Sequence, residues 1–296
     1  MDVGALASMA HHGLAQTAWL DKGCCHHEEL LPAHPYRVPK LGKKKNGLPV
    51  EKRGMRRTLR LLGIVLIVLG AAAPAGAILN GQPDTAHRYV GILVTDVGGQ
   101  RVPVCSGFLV NSTAFVTAAH CIEDLGGGPA FVSFDQRFTP SSAVVTGTAV
   151  PNPDFGSPEA DTHDIALVVL DTPVTNRGHA ELPTSGRLTP ADKKDPLTIV
   201  GYGANGWLKG HGKPVPDFRL VRSVGDSRIS KLEKAGFNMR MQSGICFGDS
   251  GGPILLGDTD LAVGIASFVN NGQCAGNAFA YRLDTAESLD FLAPYL

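Results

Sequence analysis

The 296-residue sequence predicts an all-β body, and two observations carry that expectation. Beyond residue 77, short β-branched or apolar runs alternate with turn residues, the pattern of a barrel or sandwich. The composition agrees: 36 Gly and 20 Pro make the chain turn-rich, and 43% apolar against 18% charged residues supplies a core and excludes a disordered chain. A formal net charge of zero removes any overall electrostatic case for a nucleic-acid partner.

Ten runs read as strands: Tyr89–Val94, Cys105–Val110, Phe115–Ala118, Ala130–Phe134, Val144–Val150, Ile165–Leu170, Leu197–Val200, Pro253–Leu256, Leu261–Phe268 and Phe279–Leu283. Gly98-Gly99, Asn111-Ser112, Gly126-Gly127-Gly128, Pro151-Asn152-Pro153, Asn205-Gly206 and Asn270-Asn271-Gly272 punctuate them. Thr285–Leu292 is the one good helix candidate, with Asp284 or Thr285 as cap and Leu289 and Leu292 on a shared buried face. The polar, turn-prone stretch Leu188–Pro196 divides the body into halves of about 78–190 and 191–296. Each half is small for an independent core, so a wide interface is expected, and clefts between halves favour active sites.

The N-terminal part has a different character. Residues 55–77 run from a basic start, Met55-Arg56-Arg57-Thr58-Leu59-Arg60, through the apolar Leu61–Leu69 to a small-residue tail with Ala75 and Ala77 in A-x-A register. That layout is a secretory signal, which places the mature protein outside the cell. The competing reading is a membrane anchor, because residues 61–79 carry no charge and are about long enough to span a bilayer; membrane association is expected only if that segment stays uncleaved. Residues 1–54 show no sustained periodicity, and the simplest expectation is that Met55 is the true start and the preceding stretch a disordered or spurious extension. The adjacent Cys24-Cys25-His26-His27 lack the spacers of ordinary zinc sites. Residues 78–296 carry 16 basic and 22 acidic side chains, so the body is mildly acidic and the leader basic. Four well-separated late cysteines, Cys105, Cys121, Cys246 and Cys274, suit two disulfides in an oxidising compartment.

Three short motifs carry chemistry: Thr117-Ala118-Ala119-His120-Cys121, Asp164-Ile165-Ala166-Leu167, and Gly248-Asp249-Ser250-Gly251-Gly252-Pro253. Alone, each has a structural reading: a satisfied histidine, a strand-end aspartate, a tight glycine turn. Together, in this order, they are specific. The Gly-Asp-Ser-Gly-Gly run also fits the G-x-S-x-G elbow of α/β-hydrolases, but those require a histidine after the serine, and the last histidine here is His211.

From Ile78 to Leu296 the chain resembles the chymotrypsin/trypsin-like serine protease family. The resemblance implies two six-stranded antiparallel β-barrels with a C-terminal helix, bridges Cys105–Cys121 and Cys246–Cys274, and serine endopeptidase activity on polypeptide substrates. It implies His120 as general base, Asp164 as its orienting carboxylate, Ser250 as nucleophile, and the N–H groups of Gly248 and Ser250 as the oxyanion hole. It further implies an Ile78 ammonium, freed by a cut after Ala77, paired with Asp249. Gly244 stands six residues before Ser250, where trypsin-like members carry Asp, so cleavage after Lys or Arg is not expected. Ser267, Phe268 and Val269 match the substrate-pairing edge strand, with Ser267 also bonded to Asp164. Val269 and Phe279 are expected to narrow the specificity pocket, giving a preference for small apolar residues before the cut bond. The same bulk leaves the alternative of a catalytically weak protease-fold binding protein. No cofactor or metal is expected; protein inhibitors and a monomeric state complete the expectations.

Overall fold

The structure is a computed structural model that describes residues 78–296 except 126–127, 158–160, 210–211 and 242–243. The expectations for residues 1–54 and for the leader at 55–77 fall outside the described residues.

Six antiparallel strands close the first barrel: β2 (Val90–Val97), β3 (Gln100–Leu109), β4 (Ala114–Thr117), β5 (Pro129–Ser133), β6 (Val145–Pro151) and β7 (Ala166–Leu170), in the order β2-β3-β4-β7-β6-β5. The hairpin between β2 and β3 pairs Val97 with Gln100 around Gly98 and Gly99, both at positive φ, as a two-residue turn of primed type requires. Phe108, Leu109, Phe115, Val116, Ile165 and Leu167 are fully buried in this barrel.

The second barrel comprises β8 (Pro196–Gly201), β11 (Ser223–Leu232), β12 (Gly236–Met241), β13 (Pro253–Leu256), β14 (Ala262–Val269) and β15 (Asn277–Arg282). Its sheet runs β11-β12-β15-β14-β13-β8, and a β11–β8 pairing closes it. A two-residue strand, β1 (Gln82–Pro83), joins β11, so the first described residues lie on the second barrel rather than the first. β9 (Trp207–Leu208) and β10 (Val215–Pro216) form a small separate hairpin. Helix α1 (Ala286–Leu292) is followed by a 3₁₀ turn, Ala293–Tyr295, and the Thr285 side chain caps the helix by accepting the Ser288 N–H at 3.1 Å. Its buried face is formed by Ser288 and Leu292, with Leu289 only half-buried.

Strand β11 is invisible to a hydrophobic pattern. In β11 the inward positions are Ser223, Gly225, Ser227 and Ile229, small or polar in three cases of four, and charged residues stand between them. Burial alternates regularly there, so neighbouring strands, not side-chain hydrophobicity, make this segment extended. The helix, the two-barrel architecture and both disulfides, Cys105–Cys121 and Cys246–Cys274, agree with expectation. Cys105–Cys121 closes the segment leading to His120; a loop of this length contributes about 3 kcal/mol in the chain-entropy account. Among the described residues no helix is long and apolar enough to cross a membrane.

A buried ion pair ties the two barrels at one end. Arg222, just before β11, donates Nε–H to Asp84 Oδ2 at 3.0 Å. Its terminal nitrogen donates to the carbonyls of Val90 and Phe134 and to Tyr202 Oη, at 3.2–3.3 Å. Asp84 also accepts the His87 N–H at 3.1 Å and contacts His87 Nδ1 at 2.9 Å. Burial raises the Asp84 carboxyl, but His87 and then Arg222 more than offset it, leaving the group below the usual carboxylate range. Its charged form therefore stabilises the fold above the unfolded carboxyl pKa, and that contribution disappears as pH falls through the depressed folded value. Asp84→Ala, which strands Arg222 without its partner, is expected to lower the unfolding free energy by about 3–5 kcal/mol near neutrality. The deficit should shrink below about pH 4. Urea unfolding at the two pH values checks both parts; a deficit that is absent, or that persists undiminished in acid, contradicts this account.

Candidate active site

His120 lies in a single 3₁₀ turn, Ala119–Cys121, directly after β4. The disulfide to Cys105 on β3 fixes that turn on one side. Asp164 lies two residues before β7, which pairs with β4, so strand pairing brings the two motifs together. The contact is close: Nδ1 of His120 lies 2.9 and 3.0 Å from the two Asp164 carboxylate oxygens, and the His120 backbone N–H donates to Oδ1 at 3.0 Å. Ser267 Oγ–H donates to the other oxygen, Oδ2. Asp164 is 3% exposed. Burial alone would push its carboxyl up, but His120 and Ser267 overcome this and hold it below the usual range. Burial works the other way on His120, and Asp164 again dominates, leaving the imidazole pKa above its ordinary value.

Ser250 enters through the same residue. Its Oγ–H donates to the Ser267 backbone carbonyl at 3.3 Å rather than to His120. Catalytic hydrogen bonds of this kind are often loose before substrate binds. Ser267, on β14, thus holds Asp164 with its side chain and Ser250 with its main chain.

The loop carrying Ser250 depends on two glycines. Gly248 has φ of 92° and Gly251 φ of 83°, values side-chain-bearing residues rarely adopt. At Gly251 a Cβ would also stand 2.2 Å from Thr117 Oγ1 and 2.3 Å from the Ser106 carbonyl, so only glycine lets this loop approach the turn before His120. The N–H groups of Gly248 and Ser250 have no backbone partner among the described residues, whereas Asp249 and Gly251 donate to Cys246 and Ala266 carbonyls. Two adjacent unused donors are the raw material of an anion cradle.

Asp249 is wholly buried, and its carboxylate accepts from the Gly203 N–H at 2.8 Å and the Cys246 N–H at 3.0 Å. No cation touches it among the described residues, and burial pushes its carboxyl up to about 8. Ile78 is also fully buried, and Leu79 exchanges two backbone hydrogen bonds of 3.0 Å with Gly244. The first described residues therefore lie beside the segment leading to Asp249.

The pocket residues need one correction. Phe279 sits opposite Phe268 on β14, and residues paired across strands share a face. The two rings stack at 4.7 Å, Phe268 is 42% exposed, and Phe279 covers Gly236 of β12. Phe279 therefore turns away from the face that Val269 occupies. The residue facing Val269 is Ala278, which is fully buried. A register shift in β14 between Ala266 and Phe268 moves the pairing by one residue, and a one-residue slip exchanges faces. Val269 packs against a group that includes Ile245, Ala278 and Ala280, so this surface is apolar and uncharged.

Ser106 was also missed. It is fully buried on β3; its Oγ–H donates to the Gly248 carbonyl at 2.8 Å and its oxygen accepts the Tyr202 N–H at 2.9 Å. Its N–H donates to the Ser250 carbonyl at 2.8 Å, and its carbonyl accepts from Thr117 Oγ1 at 2.8 Å. One residue of the first barrel thereby pins the Ser250 loop of the second on both sides of Asp249. No local signal marks it; a serine after a disulfide cysteine gains this meaning only from the docking of the barrels.

Comparison with known proteins agrees with this arrangement. The family model described as Trypsin matches residues 78–289. The chain is 24% identical over 212 residues to the collagenase of Hypoderma lineatum, covering 67% of this chain and 79% of the relative. It is 25% identical over 238 residues to mouse neutrophil elastase, covering 76% and 85%. The solved structure of HL collagenase superposes with a TM-score of 0.59 at 22% identity, covering 73% of this chain and 97% of the other, a likeness of fold. On the family match, the chain belongs to the trypsin family of serine proteases and is a serine endopeptidase.

Proposed function

We propose that the protein is a secreted endopeptidase that cleaves after small apolar residues through an acyl-enzyme on Ser250. The observation that carries this reading is the line of contacts from His120 to Asp164, from Asp164 to Ser267, and from Ser267 to Ser250. In the proposed cycle the Ser250 hydroxyl oxygen attacks the substrate carbonyl carbon while His120 takes the hydroxyl proton. Asp164 keeps Nδ1 protonated, so the other ring nitrogen is the base, and stabilises the imidazolium that forms. Negative charge on the carbonyl oxygen falls to the N–H groups of Gly248 and Ser250. Collapse expels the amine, which takes the proton from His120; water then adds by the same route and frees the acid and the Ser250 hydroxyl. Ser250→Ala should lower kcat by about 10⁶-fold with the fold intact, and a fluorophosphonate should label wild type on Ser250. Turnover surviving in the variant, or no label in the folded wild type, contradicts the assignment and favours the binding-protein alternative.

Activation follows from the buried carboxylate. An Ile78 ammonium, freed by removal of the leader after Ala77, supplies the cation that Asp249 lacks and orders the loop of Gly248. Maturation of this kind needs no separate activation segment. N-terminal sequencing of secreted protein should begin at Ile78, and a form with one additional residue before it should lose activity sharply. A fully active extended form contradicts the pairing.

For specificity, Val269 and Ala278 oppose each other across β14 and β15, and no charge stands at Gly244 to attract Lys or Arg. A peptide library should favour Ala and Val before the cut bond. Val269→Gly together with Ala278→Gly should raise the ratio of Phe to Ala cleavage by at least about tenfold, since a methylene of pocket space is worth that much in discrimination. Strong preference for Arg in wild type, or an unchanged ratio in the variant, contradicts this pocket.

A further inference from the structure

Away from the catalytic centre, three side chains from distant parts of the chain converge. Asp154 and His163 lie between β6 and β7, and Glu287 lies in the first turn of α1; one potential ligand atom from each lies within 4.8 Å of the others. His163 is the informative member. It is 6% exposed, its φ is 47°, and the Asp161 side chain accepts its backbone N–H at 3.0 Å. Its Nδ1 lies against Glu287 Oε1, with Asp161 Oδ1 4.0 Å away, yet among the described residues this buried nitrogen makes no hydrogen bond. A second buried polar group lies nearby. The Tyr281 hydroxyl is buried with Asp161, Ser288 and Glu287 as its polar neighbours.

A buried ring nitrogen without a partner is unfavourable. The Glu287 carboxylate is in contact with Nδ1 without a hydrogen bond between them among the described residues. A cation among the three groups satisfies the ring nitrogen and both carboxylates at once.

We propose that Asp154, His163 and Glu287 form a site for one divalent transition-metal ion of the zinc class. One imidazole with two carboxylates suits zinc-like ions, whereas calcium and magnesium prefer oxygen-only sets. Tetrahedral ligands with bonds near 2.0–2.1 Å sit roughly 3.3 Å apart, so on binding the Glu287 oxygen backs away from His163 Nδ1 while the three groups adjust to the ion. Asp154 and Glu287 are exposed and can do so, and a solvent molecule fills the fourth position. The ion would fasten the segment just before β7 to the C-terminal helix. Because His163 directly precedes Asp164, it would also brace the peptide that presents that carboxylate. The site stands on its own geometry and does not depend on the proposed substrate preference.

The test uses the secreted protein produced from the full chain, stripped with chelator and dialysed against Zn²⁺, with Asp154→Asn and Glu287→Gln as surface variants. Wild type should bind one equivalent more than either variant and unfold at a higher temperature with Zn²⁺, whereas Ca²⁺ should have neither effect. Affinity at this site should fall at least about tenfold in each variant. Co²⁺ in wild type should give visible bands without thiolate charge transfer, lost in Glu287→Gln. Equal Zn²⁺ stoichiometry in wild type and both variants, or a thermal shift unaffected by either substitution, overturns the proposal.

Discussion

The site is organised around one buried carboxylate. Asp164 cannot remain charged out of water without donors, and it collects them from two other stretches of chain: the ring and backbone N–H of His120, and the hydroxyl of Ser267. His120 comes from the first barrel and Ser267 from the second. The need to satisfy a single side chain is thus also what holds the two halves of the site in register. Ser267 extends the line to Ser250 through its carbonyl, and Ser106 restrains the same loop from the opposite barrel.

Asp249 is the instructive contrast. Both aspartates are buried and both accept backbone N–H groups, but only Asp164 has an imidazole beside it. The carboxyl of Asp164 lies below the usual range while that of Asp249 is pushed up to about 8. The difference comes from the charge partner and not from burial. In the proposed activation, chain cleavage supplies the second aspartate with a cation of its own, so one proteolytic event changes the charge state at the base of the oxyanion loop. The Asp84–Arg222 pair shows the third outcome, a carboxylate and a guanidinium buried together, the guanidinium also bonded to Val90, Phe134 and Tyr202.

Much of this was legible in the chain. The three motifs stand out because they occur together in this order, each being ordinary on its own, and most of the strands because their apolar runs are flanked by Gly, Pro and Asn. What escaped depended on long-range register. Strand β11 buries Ser and Gly among charged residues, so no apolar alternation announces it, whereas β12 alternates only over the short run Phe237-Asn238-Met239-Arg240. Phe279 pairs with Phe268 rather than Val269 through a shift within β14 that no feature of β15 announces. Ser106 and Ala278 are small residues whose roles come entirely from what the fold sets opposite them. The spacing between Asp154, His163 and Glu287 conforms to no motif for the same reason.

The most direct measurement of the central claim is the proton NMR signal of His120 Nδ1–H, identified with ¹⁵N-labelled imidazole and followed with pH. The account predicts a strongly deshielded resonance, a titration midpoint above the ordinary histidine value of about 6.5, and loss of the signal in Asp164→Asn. Absence of a deshielded Nδ1 proton in the folded wild type, or a midpoint at or below that value, would contradict it.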